Sequence, residues 1–159
     1  MAVFRFSMQN ILNMKEKLEE QEKNNFSQAN MRLLEAEEEL ERLRRRLVVK
    51  EEELREEVSA LADIQEIRTR ENAVEIVKMY VRQQHLVVLQ REKEVEVARQ
   101  RLHEAMKERK TFEKLREKAF DAFVREENQK EQKEIDELIS YRHGVQGIQA
   151  GKTAGMENA

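Results

Sequence analysis

The chain has 159 residues, 40% of them charged and only 5% aromatic, with no Trp, Pro or Cys and a net charge of −3. Residues 1–72 carry 13 basic and 17 acidic side chains and residues 73–159 carry 17 and 16, so neither half has the excess a nucleic-acid footprint needs. Disulfides and thiolate metal sites are excluded, a reducing cytosol fits, and no apolar run reaches the roughly 18 residues of a membrane span.

Every glycine lies in the last stretch, at Gly144, Gly147, Gly151 and Gly155. Pro costs about 3 kcal/mol inside a helix and Gly about 1. Their absence up to His143 therefore permits very long helices. The chain opens on "VFRFSMQNIL", a dense apolar start with Phe4, Phe6, Met8, Ile11 and Leu12. It lacks the continuous apolar core of a signal peptide. It serves either to close the end of a helical seam or as a tip that docks a partner.

A four-three rhythm follows at Phe26, Ala29, Leu33, Ala36, Leu40, Leu43 and Leu47, the spacing of a coiled-coil stripe. Lys50 breaks it, and Leu54, Val58 and Leu61 resume it after an extra four-residue step, a stutter. Glu38 with Arg42 and Glu41 with Arg45 are i,i+4 pairs in the favourable order. The basic block "RLRRRL" (Arg42 to Leu47) is accordingly expected to be a solvated, locally neutralised face.

Ser59 to Asn72 is the softest region and the expected turn, with Thr69 and Asn72 as candidate caps. A second stripe then runs through Val81, Val88, Val95, Ala98, Leu102, Ala105 and Phe112 to Ala119, Phe120, Phe123 and Val124. In "VEIVKMYVRQQHLVVL", Ile76, Met79, Tyr80, Leu86, Val87 and Leu89 spread beyond one stripe. Two helices cannot cover so wide an arc; either a short helix near the turn (Leu61 to Ile67) folds over it or a partner does.

"REENQKEQKEIDEL", Arg125 to Leu138, has no apolar residue before Ile135. Ion pairs such as Glu126–Lys130 and Lys130–Glu134 stabilise too little to explain that composition. A surface role explains it better. His143 followed by Gly144 marks a helix end, and the tail 144–159 is expected to be disordered.

The fold class is thus all-α: a long antiparallel two-helix coiled-coil hairpin over 1–143, with helices of about 4–58 and 73–143 around a turn at 59–72. Residue numbers summing to 145 place Leu33 opposite Phe112, Leu40 opposite Ala105, Leu43 opposite Leu102, Leu47 opposite Ala98 and Val58 opposite Val87. This register puts Lys15 to Asn25 across from the charged stretch. The competing architecture is a parallel homodimeric rod, roughly 200 Å long at 1.5 Å per residue, acting as a tether or scaffold. His85, His103 and His143 are too scattered to form a ligand set, and carboxylates on an open coiled coil lack a cleft to tune them. No enzymatic activity, cofactor, small-molecule substrate or nucleic acid is expected.

"FRFSMQNILNMKEKLEEQEKNNFSQANMRLLEAEEEL" and "KTFEKLREKAFDAFVREENQKEQKEIDELISYRH", taken in this order and spacing, resemble the FliJ family of flagellar export proteins over about residues 3 to 143. The shared features are the aromatic-basic-aromatic opening, the Phe112-Glu113-Leu115-Glu117-Lys118 run and the acidic-basic run that follows. The resemblance implies a stalk-like hairpin. Its termini-bearing end would enter the hexameric flagellar export ATPase, and its middle would contact the membrane export gate protein. Carried over, the ATPase-facing residues are Phe4, Arg5, Phe6, Phe112, Glu113, Lys118, Glu126, Glu127, Lys130, Glu131, Glu134, Asp136, Glu137 and Arg142. The gate-facing residues are Ile76, Met79, Tyr80, Leu86, Val87 and Leu89. The resemblance further implies a cytoplasmic protein held peripherally at the membrane at the flagellar base. An export-chaperone role and the equivalent injectisome stalk remain alternatives.

Overall fold

The structure is a computed structural model that describes residues 2–156. Among these residues there is no strand. Two helices account for nearly all of them: α1, Gln9–Ser59, and α2, Ile64–Met156. The all-α expectation holds. The chain divides into two compact units, one of Met14–Arg109 and one of Met1–Asn13 with Lys110–Ala159.

In the unit Met14–Arg109, α1 and α2 pack antiparallel along an unbroken heptad seam. On α1 the covered positions step by three and four from Lys15 through Glu19, Glu22, Phe26, Ala29, Leu33, Ala36, Leu40, Leu43, Leu47, Lys50 and Leu54 to Glu57. On α2 they run from Ile67 through Arg70, Val74, Val77, Val81, Gln84, Val88, Arg91, Val95, Ala98, Leu102 and Ala105 to Arg109. The driving force sits mid-seam, where Ala36, Leu40 and Val88 form a buried cluster with Leu33 and Val81 against it. Burying a side chain such as Leu40 contributes about 1.5–3 kcal/mol.

The stutter expected after Leu47 is absent. Lys50 and Glu57 simply occupy seam positions, while Val58 and Leu61 face solvent. The long stems of these charged residues cover the seam while their heads find partners at its edge. Arg70 reaches across to Glu53 at 3.0 Å and Glu57 at 3.7 Å, and Lys50 pairs with the same Glu53 at 3.2 Å. Near residue 109, Lys15 meets Glu108 at 2.8 Å and the buried Glu19 meets Arg109. The apolar middle of this unit is bracketed by a charged cluster on each side.

The turn is shorter than expected and closes differently. Ala62 N–H bonds the Glu57 carbonyl and Leu61 N–H the Val58 carbonyl, a Schellman cap with Leu61 at the left-handed position, φ 53°. Asp63 takes the N-cap position of α2, its carbonyl accepting the first helical bond from Ile67, and Glu66 lies in the first turn against the helix dipole. Residues 64–72 are therefore the opening turns of α2, not a separate short helix. Thr69 does not cap; its hydroxyl bonds back to the Gln65 carbonyl at 2.9 Å.

The register follows from this turn and corrects the sequence-based one. Gln84 donates to the Ala36 carbonyl at 3.0 Å, Arg70 pairs with Glu53 and Lys15 with Glu108, so facing residue numbers sum to about 123. A sum of 145 needs a reversal near residue 72; the actual one lies at residues 60–63, about three heptads away in register. Leu40 thus meets Val88, not Ala105. Val58 and Val87 are both exposed.

In the other unit, residues 2–6 are not helical, so the first helix begins later than expected, at Gln9. This lead-in is held by its aromatics against α2. Leu12 is buried beside it. Beyond Glu127 every residue to Gly144 is exposed, and α2 continues through Val145 and the glycines to Met156. No glycine has positive φ and none has a neighbour that a Cβ would touch. The αL cap expected at Gly144 is not formed, and residues 144–156 are helix where a disordered tail was expected; residues 157–159 lie outside the described ones. Lys15 to Asn25 do not face the charged stretch, because Lys15 and Glu19 already face Glu108 and Arg109.

Candidate protein-interaction surfaces

Two surfaces emerge, one in each unit. In the unit that holds the chain's first residues, the Phe4 ring meets Phe120 edge-on, with centroids 5.2 Å apart at 78°, and lies 5.5 Å from Phe123. The Arg116 guanidinium sits 5.6 Å over the same ring and donates through Nε to the Gln9 side-chain oxygen at 3.1 Å. The sequence explains the geometry: Arg116, Phe120 and Phe123 succeed one another at i+4 and i+3, which puts them on one helix face. Aromatic and cation–π contacts of this kind each contribute about 0.5–1.5 kcal/mol. A groove of about 560 Å³ runs between the lead-in and α2, bordered by Phe6, Met8, Leu115, Ala119 and Glu126.

All the residues carried over as ATPase-facing fall in this unit. Phe4, Phe6, Phe112, Glu113 and Glu127 are half-buried; Arg5, Lys118, Glu126, Lys130, Glu131, Glu134, Asp136, Glu137 and Arg142 are exposed. Lys130 lies between Glu126 at 3.8 Å and Glu127 at 3.7 Å. The helix from Glu131 onward has no facing segment among the described residues, and it also exposes Ile135, Leu138, Ile139 and Tyr141. Sequence reasoning placed Phe120 and Phe123 on the stripe but missed Arg116 as the partner of Phe4; a basic residue four before Phe120 was the available signal.

In the unit Met14–Arg109, the set that the resemblance carried over as gate-facing is uncovered. Ile76, Met79, Tyr80, Leu86, Val87 and Leu89 all remain exposed. Of the two covers considered for them, a short segment at Leu61 to Ile67 or a partner, the first is not formed, Leu61 and Ile64 being exposed too. The basic block beside them is less neutralised than expected. Arg42 pairs with Glu39 at 2.8 Å rather than with Glu38, and Arg44, Arg45 and Arg46 have no ion-pair partner among the described residues.

Among the described residues the one strongly buried titratable group is Glu19, which belongs to the seam. Burial pushes its carboxyl up, but hydrogen bonds from Arg109 and Lys23 and their charges outweigh this and hold it below the usual 4.5. Among the described residues no group of three or more His, Asp or Glu is placed to hold a metal, and no helix is long and apolar enough to cross a membrane.

Among solved structures, the chain is similar to one described as a YscO homolog, CT670, from Chlamydia trachomatis. The match has a TM-score of 0.55 and 22% identity, and it covers 90% of this chain and 97% of that one. That likeness is one of fold. A search of curated protein sequences finds no match. The family model of the Flagellar FliJ protein matches residues 4–147, nearly the whole length of both helices, and the chain accordingly belongs to the FliJ family.

Proposed function

We propose that this protein is a non-catalytic, stalk-like part of the flagellar export machinery, seated in the hexameric export ATPase by its termini-bearing unit. As a FliJ-family protein the chain is a component of the flagellar or type III export apparatus. One observation carries the finer reading. From Glu131 to Gly144, every residue of α2 is exposed, charges are dense as far as Glu137, and there is no facing segment among the described residues. Isolated exposed helix has little to hold it, since helical stability in proteins comes mostly from packing of an amphipathic face. A ring-shaped partner supplies the missing surroundings, and the alternating charges give it something to recognise without nonspecific adhesion. The exposed arc of Ile76, Met79, Tyr80, Leu86, Val87 and Leu89 is the second contact, with the membrane export gate protein.

The test is hydrolysis by the purified cognate export ATPase with and without the full chain. Stimulation of hydrolysis or of hexamer formation is expected. Charge reversal at Glu127, Lys130 and Glu134 should reduce it at unchanged helicity. An ATPase indifferent to the chain in both assays removes the stalk reading.

A further inference from the structure

The surface charge of this acidic chain is unevenly distributed. Between Glu41 and Glu51, α1 carries Arg42, Arg44, Arg45, Arg46 and Lys50 with no acid; between Glu75 and Glu92, α2 carries Lys78, Arg82 and Arg91 with none. The register that joins Gln84 to Ala36 and Arg70 to Glu53 lays the basic stretch of α1 across from the first part of the α2 stretch. Arg44, Arg45, Arg46 and Arg82 find no ion pair among the described residues. The same zone holds the exposed arc on α2 and the exposed Val48 and Val49 on α1.

These features meet at a groove of about 470 Å³ between the helices. Arg42 and Arg46 line its α1 side, Tyr80 and Val87 its α2 side, and the buried Leu43 its floor. Tyr80 and Val87 are seven residues apart, about 10.5 Å along the axis, so they present two apolar contacts spaced two turns apart. Arg42 and Arg46 are one turn apart and run beside them.

We infer that this groove docks an amphipathic helix of a protein partner whose apolar edge packs on Tyr80, Val87 and Leu43 and whose flanking carboxylates pair with Arg46 and Arg42. The inference rests on the gate-facing reading for the identity of the partner and on the groove itself for its chemistry. Charge complementarity commits it to an acidic helix. Arg46, without an ion pair among the described residues, and Arg42, held by the groove's own Glu39 at 2.8 Å, border an uncovered apolar lip. A ligand carrying both carboxylates and an apolar edge engages the two features together. A phosphate-rich surface, lipid or nucleic acid, fits less well. Glu39 lines the same groove, and Glu35, Glu37, Glu38 and Glu41 crowd the adjoining turns of α1, where they repel phosphates. A protein helix can place a lysine at that end.

The test is fluorescence anisotropy of the labelled full chain against three probes: the purified cytoplasmic domain of the cognate export gate protein, a designed helical peptide bearing a Leu stripe flanked by Glu, and phosphatidylglycerol vesicles. The peptide's Lys-for-Glu counterpart is the control. Binding of the gate domain and of the Glu peptide, each weakened at least tenfold by Arg42→Glu with Arg46→Glu and by raised salt, is the expected result. Circular dichroism verifies that the variant keeps its helices, and Tyr80→Ala, which leaves the charges alone, should weaken both as well. Gate-domain binding that ignores the charge reversal overturns the groove while sparing the gate contact. The converse, a Glu peptide that binds and is lost on reversal while the gate domain does not bind, overturns the gate contact and keeps the groove. Binding to vesicles but not to the peptide overturns the acidic-helix inference in favour of lipid, and binding to neither peptide nor gate domain overturns both readings.

Discussion

Glu19 and Arg109, 90 positions apart in the chain, form an ion pair inside the helix–helix seam of the unit Met14–Arg109, with Glu19 only 5% exposed. A buried carboxylate is costly unless its partner is present, and losing that partner typically costs more than losing the pair. Arg109→Met should therefore lower stability by about 2–4 kcal/mol, the 3.3 Å contact of Glu19 with Lys23 softening the loss. Replacing both residues with leucine should recover most of it. Urea midpoints of the single and double variants decide the point; a double variant no better than Arg109→Met would show that the pair is not what the seam requires there.

Because its partners hold the Glu19 carboxyl below 4.5 in the folded state, its contribution has a defined pH sense. A depressed folded pKa means that stability is fully present above the unfolded value and is lost as pH falls through the folded value. The gap in urea midpoint between the parent and Glu19→Gln should be widest near neutral pH and close as the pH drops below about 4.5. A gap that widens on acidification contradicts the assignment.

Leu61 adopts φ 53° at the cap of α1 while its side chain stays 90% exposed. Its side chain gains nothing from the fold and its backbone sits where only glycine is unstrained. Leu61→Gly should stabilise the protein by about 0.5–1 kcal/mol, the strain relieved being partly offset by glycine's greater freedom when unfolded. Thermal melts of the two chains measure it, and a lower melting temperature for the glycine variant refutes the cap.

The register itself can be tested by crosslinking, first in the unsubstituted chain. Zero-length carbodiimide coupling should join Lys15 to Glu108, 2.8 Å apart, within a single chain. Cysteines at Leu40 and Ala105 should stay unlinked on oxidation, since the register separates them by about 21 residues along α2, or roughly 30 Å. An intrachain Leu40–Ala105 bond restores the alternative register; chain-to-chain bonds of either kind argue for a parallel rod.

Phe4 joins the lead-in to α2 through two rings and one guanidinium. Phe4→Ala should cost about 1–2 kcal/mol locally. Hydrogen exchange should rise at residues 2–12 and 112–123 and stay unchanged around Leu40 and Val88. Uniform exchange across the chain means that this contact does not hold the lead-in.

The lead-in, the seam and the turn differ in how far they were legible. Two apolar stripes at coiled-coil spacing and the lack of Pro or Gly before Gly144 already dictate two long helices, because nothing local stops them and the stripes must be covered. The uncovered arc was equally visible, since six apolar residues off the stripe leave one seam no means of burying them. Charged residues on the seam were not: Lys50, Glu57, Arg70 and Arg109 look like solvent-facing residues until each is given its opposite number.

What the sequence determines by itself is therefore the elements and the faces they bury. Only the tertiary structure decides which residue faces which, because a heptad stripe repeats and several alignments bury nearly the same apolar area. Two things break that degeneracy: the left-handed Leu61, with Asp63 capping α2, fixes where the chain reverses, and Glu19 with Arg109 and Arg70 with Glu53 and Glu57 find their charges only in this register.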